Sequence, residues 1–338
     1  MTNAPRDAVH GGRGGETDRG ATDVGATDRG PSPARPGLSR IRHGSVTRFA
    51  PAPTGRLHMG HLVNAVYVWG IAAATGGSVV LRIEDHDRQR SRPEHERDLL
   101  DDLDRLGLRP DRPTTDDLRA GPSPWRQGDD PVPYDAAIAT LREAGLAYPC
   151  ECARSAFTAW AAEHGVPWSG PGCPGRCRER DLPDEPHRGI RLALGGGHEA
   201  FDDLLLGPVS GPVAVAGDPL VRDRLGNRTY HLCVVVDDAR HGVDLVIRGR
   251  DLLDATPLQL RLAAALGRTE PPAHLHHPLV LRADGTKLSK AAGDTAVGAL
   301  LDAGARPADL LGRAAALVGL LDRPRPVDPA DLGELFAG

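Results

Sequence analysis

Lysine is almost missing from this sequence. Its 338 residues hold 41 basic side chains, and only Lys287 and Lys290 among them are lysines, which leaves 39 arginines (41 minus 2). The general preference is for guanidinium. Two lysines kept three residues apart mark a place that wants a compact ammonium. Long apolar runs are missing too. Nothing reaches about 18 consecutive apolar residues, which excludes a membrane-spanning helix. The first residues are polar, rich in Gly, Asp and Arg, and lack the apolar stretch of a secretion signal. The expected location is the cytoplasm, with no membrane partner. Net positive charge is also absent. The formal charge of −5 is not that of a general nucleic-acid binder, so any RNA contact must come from local basic surface.

What is present is enough for one large domain or two modest ones, with 40 % hydrophobic residues to build a core. Residues 1–44 repeat Gly-Ala-Thr-Asp at Gly20 and Gly25 and hold little apolar content. They are expected to be a disordered extension. Val46 to Ala50 reads as a strand stopped by Pro51 and Pro53. A helix is expected from His61 to Thr75, with a Gly76-Gly77 stop. Ser78 to Ile83 reads as a second strand. Charged amphipathic helices follow over Glu94–Leu106 and Tyr134–Ala144, closed by Gly107 and Gly145. Strand, helix, strand, helix predicts an α/β fold, a Rossmann-like doubly wound parallel sheet.

That rhythm breaks at residue 150. The expected division is 45–149 as the first half of the catalytic domain and 150–228 as an inserted subdomain. Residues 229–290 form the second half, and 291–338 a short helical C-terminal region. Strands are expected again at Leu232–Asp238 and Val243–Ile247, then a helix over about 253–266 and another near Ala308–Leu321.

Five groups of residues carry chemistry. Pro53 to His61 follows a strand and opens a helix, whose free N–H groups suit an anion. There Gly60 permits close approach, and His58 and His61 can donate to phosphate oxygens. Lys287-Leu-Ser-Lys290, between Gly285 and Gly293, suits the charge of a leaving pyrophosphate. Arg48 can pair bidentately with a carboxylate, and Glu84 can accept from an ammonium. A fourth block runs from Tyr230 to Asp238 and from Asp244 to Asp251, with Arg248 at a strand end. Cys150-Glu-Cys152 and Cys173-Pro-Gly-Arg-Cys177 offer four thiolates in two close pairs, the donor set of a structural zinc site. Disulfides are not expected in a cytoplasmic chain. Cys233 reads as a buried thiol in an apolar strand.

His-Met-Gly-His at 58–61 and Lys-Leu-Ser-Lys at 287–290 resemble the two signature motifs of class I aminoacyl-tRNA synthetases, in the expected order. Arg48 to Gly55, Arg82 to Asp87, and the Tyr230 and Arg248 segments resemble the glutamyl and glutaminyl branch. The resemblance covers about residues 46–323. It implies ATP held by His58, Gly60, His61 and Lys290 with Mg²⁺ on its phosphates, and His58, His61, Lys287 and Lys290 in catalysis. It also implies glutamate held by Arg48, Phe49, Ala50, Pro51, Ala52, Glu84, Tyr230 and Arg248. Ala52 departs from the serine common in the branch, and Arg248 favours glutamate over glutamine.

The cysteine set is similar to that of the short glutamyl-queuosine type, which often uses Cys-x-Cys and then Tyr-x-x-x-Cys. Here Cys173 replaces that Tyr, and one structural zinc is implied. The 48 residues after Lys290 are too few for a large anticodon-binding region, which points to the same type. It would transfer glutamate to the queuosine base of tRNA(Asp), as a monomer. Transfer to tRNA(Glu) and a non-catalytic binding module remain as alternatives.

Overall fold

The computed structural model describes residues 26–27, 35–165, 172–213, 217–281 and 295–337. A strand of two residues, β1 (Ala26–Thr27), pairs with a later one. β2 (Val46–Phe49) and β3 (Ser78–Leu81) then run parallel, with Arg48 opposite Val80. A parallel pair needs a crossover, and α1 (Met59–Thr75) supplies it. Its stop is Gly76, at φ 63° in the left-handed region that glycine enters without penalty. α2 (Pro93–Leu106) buries Leu99, Leu100, Leu103 and Leu106 on one stripe and ends at Gly107. α3 (Thr115–Arg119) and α4 (Val132–Glu143) lead into β4 (Ala147–Cys150).

From there the chain leaves the parallel rhythm. α5 (Arg154–His164) follows, and β4 pairs with β5 (Gly189–Leu192), which pairs with β8 (Leu220–Arg222), all antiparallel. The hairpin β6 (His198–Asp203) and β7 (Gly207–Pro212) lies elsewhere. It joins β9 (Leu245–Gly249) and β10 (Ala273–His277) in the order β7-β6-β10-β9. Part of the segment expected to be a separate insert is therefore an edge of the parallel sheet. β9 and β10 are parallel, with Arg248 opposite His276. Asp244 N–H donates to Val46 O at 3.0 Å, which sets β9 beside β2. α7 (Thr256–Ala265), β11 (Val280–Leu281), α8 (Val297–Asp302) and α9 (Pro307–Leu317) complete the order, and β11 pairs with β1. The main core packs α1, α2 and α9 against β2, β3 and β9.

Two expectations are corrected. Leu232–Asp238 is not a strand; it lies inside α6 (Tyr230–Arg240). Three consecutive valines favour a strand by propensity, yet Asp237 and Asp238 are buried and must meet arginines on neighbouring strands. The helix delivers both to one place, and tertiary context overrides propensity. Cys233 is buried as expected, but in that helix. The second correction concerns residues 35–44. Leu38–Arg40 form a 3-10 turn, Ile41 is buried in the main core, and Arg35 donates to Leu320 O at 2.9 Å. Two apolar side chains, Leu38 and Ile41, suffice to order this end of the expected extension.

Candidate active site

Two histidines build the start of α1. His58 stands at the N-cap in extended backbone, and its Nδ1 accepts the Gly60 N–H at 3.1 Å. The His61 Nδ1 accepts the His58 N–H, also at 3.1 Å. A capping box ordinarily uses Ser or Thr with Glu; here imidazoles perform both tasks. With both Nδ1 atoms accepting, the neutral rings carry their protons on Nε2. Two N–H donors thus stand at the positive end of a helix, where phosphate oxygens are favoured. Gly60 follows from the same geometry, because a Cβ there would come within 3.0 Å of the His58 ring.

A cavity of about 380 Å³ opens beside this helix start, at the C-terminal ends of β2, β3, β9 and β10. Arg48, Phe49, Ala50, Pro51, Ala52, Glu84, Tyr230 and Arg248 all line it, and so do His58, Gly60 and His61. Residues up to 200 positions apart in sequence therefore meet at one site. Lys287 and Lys290 lie outside the described residues.

Two of the lining residues, Arg48 and Glu84, belong to a buried ion network. Arg82 has no exposed surface, and its guanidinium donates to Glu84 Oε1 at 3.0 Å and to Asp238 Oδ1 at 2.7 Å. Asp237 Oδ2 lies 3.6 Å from Arg82 Nε. Gln127, Tyr134 and Arg240 also donate to Asp237. Arg48 donates to Asp238 at 3.3 Å and to Ile247 O at 3.0 Å. The charge of Arg82 holds Asp238 below the usual carboxylate range against its burial. Pairing and hydrogen bonding of this kind offset the cost of taking these charges out of water.

Arg248 differs. It is 4 % exposed, and its partners are neutral. It donates to Thr256 Oγ1 and Gln259 Oε1, each at 2.7 Å, and to His276 Nε2 at 3.0 Å. Tyr230 OH is 3.4 Å away. Among the described residues, no carboxylate lies within ion-pair distance of it. Burial accordingly depresses its pKa. A cation removed from water and given only neutral partners is costly. The arrangement becomes favourable when an anion enters the cavity, and a guanidinium presents a fork that matches a carboxylate.

The sequence reading missed several members of this site. Asn64 donates to Ile247 O at 3.3 Å and lies 3.2 Å from His277 Nε2, and both residues line the cavity. His277 is neutral near pH 7, since burial lowers it to about 4. Thr256, Gln259 and His276 hold Arg248 without lining the cavity. The one signal available was the alternation His274-Leu-His276 just before the lysine motif, which puts two imidazoles on one face of β10; their rings stack at 6.0 Å.

The cysteines gather around the end of β4. The sulfurs of Cys150, Cys152 and Cys177 all lie within 4.8 Å of one another, a group able to hold a metal ion. Cys173 Sγ stands 3.8 Å from Cys150 Sγ, and Cys152 Sγ 3.5 Å from Cys177 Sγ. These separations exceed the ~2.05 Å of a disulfide. Both match the edge of a tetrahedron with bonds of ~2.3 Å, on the order of 3.8 Å, while Cys173, the fourth thiol of the expected set, stands outside the group of three that all lie within 4.8 Å of one another.

Among the described residues, no helix is long and apolar enough to cross a membrane. Comparison with known proteins identifies the family. The family described as "tRNA synthetases class I (E and Q), catalytic domain" matches residues 45–320. Glutamyl-Q tRNA(Asp) synthetase of Symbiobacterium thermophilum is 41 % identical over 86 % of this chain and 91 % of its own. The protein of the same name from Leptothrix cholodnii is 43 % identical over 83 % and 92 %. A crystal structure of a glutamate tRNA ligase from Elizabethkingia meningosepticum, in complex with its amino acid, superposes with a TM-score of 0.71 at 25 % identity. The match covers 86 % of this chain but only 64 % of that one. The chain thus belongs to the class I tRNA synthetase family of glutamyl and glutaminyl enzymes, whose catalytic-domain match takes in most of its described residues.

Proposed function

We propose that this chain activates glutamate with ATP to form glutamyl-adenylate and transfers the glutamyl group to the queuosine base in the anticodon of tRNA(Asp), in the cytoplasm. The observation that carries the amino acid is Arg248, a buried guanidinium with neutral partners at the wall of a cavity. The acceptor is supported by identities of 41 % and 43 % to proteins named Glutamyl-Q tRNA(Asp) synthetase, across about nine-tenths of their lengths.

In this reading the side-chain carboxylate of glutamate pairs with Arg248 and touches Tyr230. Its ammonium donates to Glu84, and its α-carboxylate faces Arg48. ATP, entering as its Mg²⁺ complex, lays its phosphates on the α1 N-terminus and the Nε2 donors of His58 and His61. An oxygen of the α-carboxylate attacks the α-phosphorus, and pyrophosphate leaves. Lys287 and Lys290 neutralise the charge that grows on the leaving group. A cyclopentenediol hydroxyl of queuosine then attacks the carbonyl carbon of the mixed anhydride, and AMP departs. The protein contributes chiefly positioning and fixed charge. Cys150, Cys152, Cys173 and Cys177 would hold one zinc ion, which would brace the β4–α5 turn.

Glutamate-dependent ATP–pyrophosphate exchange tests the first step. Labelled-glutamate transfer to queuosine-containing tRNA(Asp) tests the second. Charging of unmodified tRNA(Glu) instead would favour a second reading, a minimal glutamyl-tRNA synthetase, to which the likeness to a glutamate tRNA ligase structure lends weight. Absence of exchange would leave only the binding-module alternative.

A further inference from the structure

We infer that His276 and Asp203 form a positioning relay that fixes the guanidinium of Arg248, so that a strand of the inserted segment tunes the affinity for the substrate carboxylate. The inference rests on the glutamate reading given above.

The geometry runs in one line. Asp203 has no exposed surface and accepts four hydrogen bonds. Its Oδ1 takes the N–H groups of Leu205 and Leu206, both at 2.9 Å. Its Oδ2 takes the His276 backbone N–H at 3.1 Å and the ring Nδ1 at 2.8 Å. A carboxylate only accepts, so the proton of the neutral ring must sit on Nδ1. That leaves His276 Nε2 as an acceptor, and Arg248 Nε donates to it at 3.0 Å. Thr256 Oγ1 contacts the same Nε2 at 3.1 Å and also accepts from Arg248 Nη2. His276 therefore sets the plane of the guanidinium. Its partner Asp203 sets which nitrogen of the ring carries the proton. The pairing that places them is β6 against β10, where Asp203 stands opposite His274. A carboxylate–imidazole pair behind a ligand-binding group is a known means of fixing tautomer and orientation.

A bland alternative is that Asp203 simply caps the β6–β7 turn and His276 fills space. Three variants separate the two. His276→Gln places an acceptor near the Nε2 position and keeps the contact with Arg248. His276→Asn reaches only the Nδ1 position, so it keeps Asp203 and loses Arg248. Asp203→Asn is isosteric but puts an NH₂ against donors. The readout is ATP–pyrophosphate exchange at varied glutamate and at varied ATP, with a thermal melt of each protein. The loss of one charge-assisted hydrogen bond that orients the substrate group predicts a glutamate KM raised about tenfold or more in His276→Asn and Asp203→Asn. His276→Gln should stay within about threefold, and the ATP KM should hold in all three. Equal effects of Gln and Asn at position 276, or a loss of kcat with the glutamate KM unchanged, would overturn the relay. Should Asp203→Asn fail to fold, the two His276 variants decide alone. If the unaltered protein shows no glutamate-dependent exchange, the glutamate reading falls and the relay with it; exchange with unchanged KM in the variants removes the relay alone.

Discussion

Replacing Arg248 with glutamine should weaken the protein's function while leaving its stability intact or improved. In the structure the guanidinium is buried against Thr256, Gln259 and His276, with no carboxylate in ion-pair reach among the described residues. Without ligand it is therefore a desolvated charge lacking a counter-ion. Removing it relieves a cost, as replacement of buried ionic groups by neutral ones often does. With glutamate bound, the same group becomes half of a buried ion pair. Loss of one partner of such a pair costs about 2–5 kcal/mol of binding. At about 1.4 kcal/mol per tenfold, that raises the glutamate KM by roughly 30-fold to several thousand-fold. The ATP KM should move little, because the proposed phosphate donors are the α1 N-terminus, His58 and His61 rather than Arg248. The assay is pyrophosphate exchange at varied glutamate, beside a calorimetric melt. The melting temperature should stay level or rise by a few degrees, about 2–4 °C per kcal/mol for a large domain. An unchanged glutamate KM would refute the pocket assignment. A melting temperature lowered by many degrees would refute the argument that Arg248 is held for function rather than for the fold.

Four other outcomes are expected. Arg82→Leu should destabilise the protein by about 3–5 kcal/mol in denaturant titration, because it strands Glu84, Asp237 and Asp238 without their shared cation; a loss below about 1 kcal/mol would contradict the network. Gly60→Ala should raise the ATP KM, since the new methyl meets the His58 ring and displaces the N-cap; retention of wild-type ATP kinetics would count against the phosphate site. Metal analysis of the purified protein should find one zinc per chain and Cys152→Ser should lose it, with a lower melting temperature; a metal-free parent of equal stability would exclude the structural ion.

The fourth concerns pH. His241 is lowered to about 3, and His231 and His277 to about 4, each by burial first. These rings stay neutral in the folded chain while the unfolded chain protonates near 6.5. Stability is thus full above about 6.5 and falls as pH drops toward 4. Asp102, raised by burial to about 6, works the other way over part of that window. His274 and His276 are lowered by burial as well, and burial raises Asp85 and Glu96 beside Asp102, so five histidines stand against three carboxyls and the urea midpoint should decline from pH 7 to 4.5. A flat profile would show that these rings are solvated.

Much of the site was legible in the sequence because its chemistry is local. Strand, proline loop, His58 and Gly60 form one continuous stretch, and its role as a helix start follows from the change from a strand to an apolar helical pattern across the prolines. Arg48 and Glu84 follow adjacent parallel strands, so their convergence follows from the α/β pattern. Arg248, at the end of a third strand, shares that logic. The cysteine pairs were equally legible, since two short spacings restrict how far the thiols can part.

Other features were decided only when distant segments packed. Leu232–Asp238 has the composition of a strand, yet it is a helix because two adjacent buried aspartates must both face the guanidinium of Arg82. No local preference encodes that need. Asp203 reads as one more acid in an irregular insert, and His276 as one of three histidines. Their roles exist only because β6 leaves the insert and pairs with β10. The sequence by itself determined which residues could bind an anion, a nucleotide and a metal, since those capacities reside in side-chain chemistry and short spacing. The tertiary structure alone decided how the site's three arginines would be partnered: Arg48 and Arg82 received carboxylates from α6 and the end of β3, whereas Arg248, among the described residues, received neutral acceptors from α7 and β10.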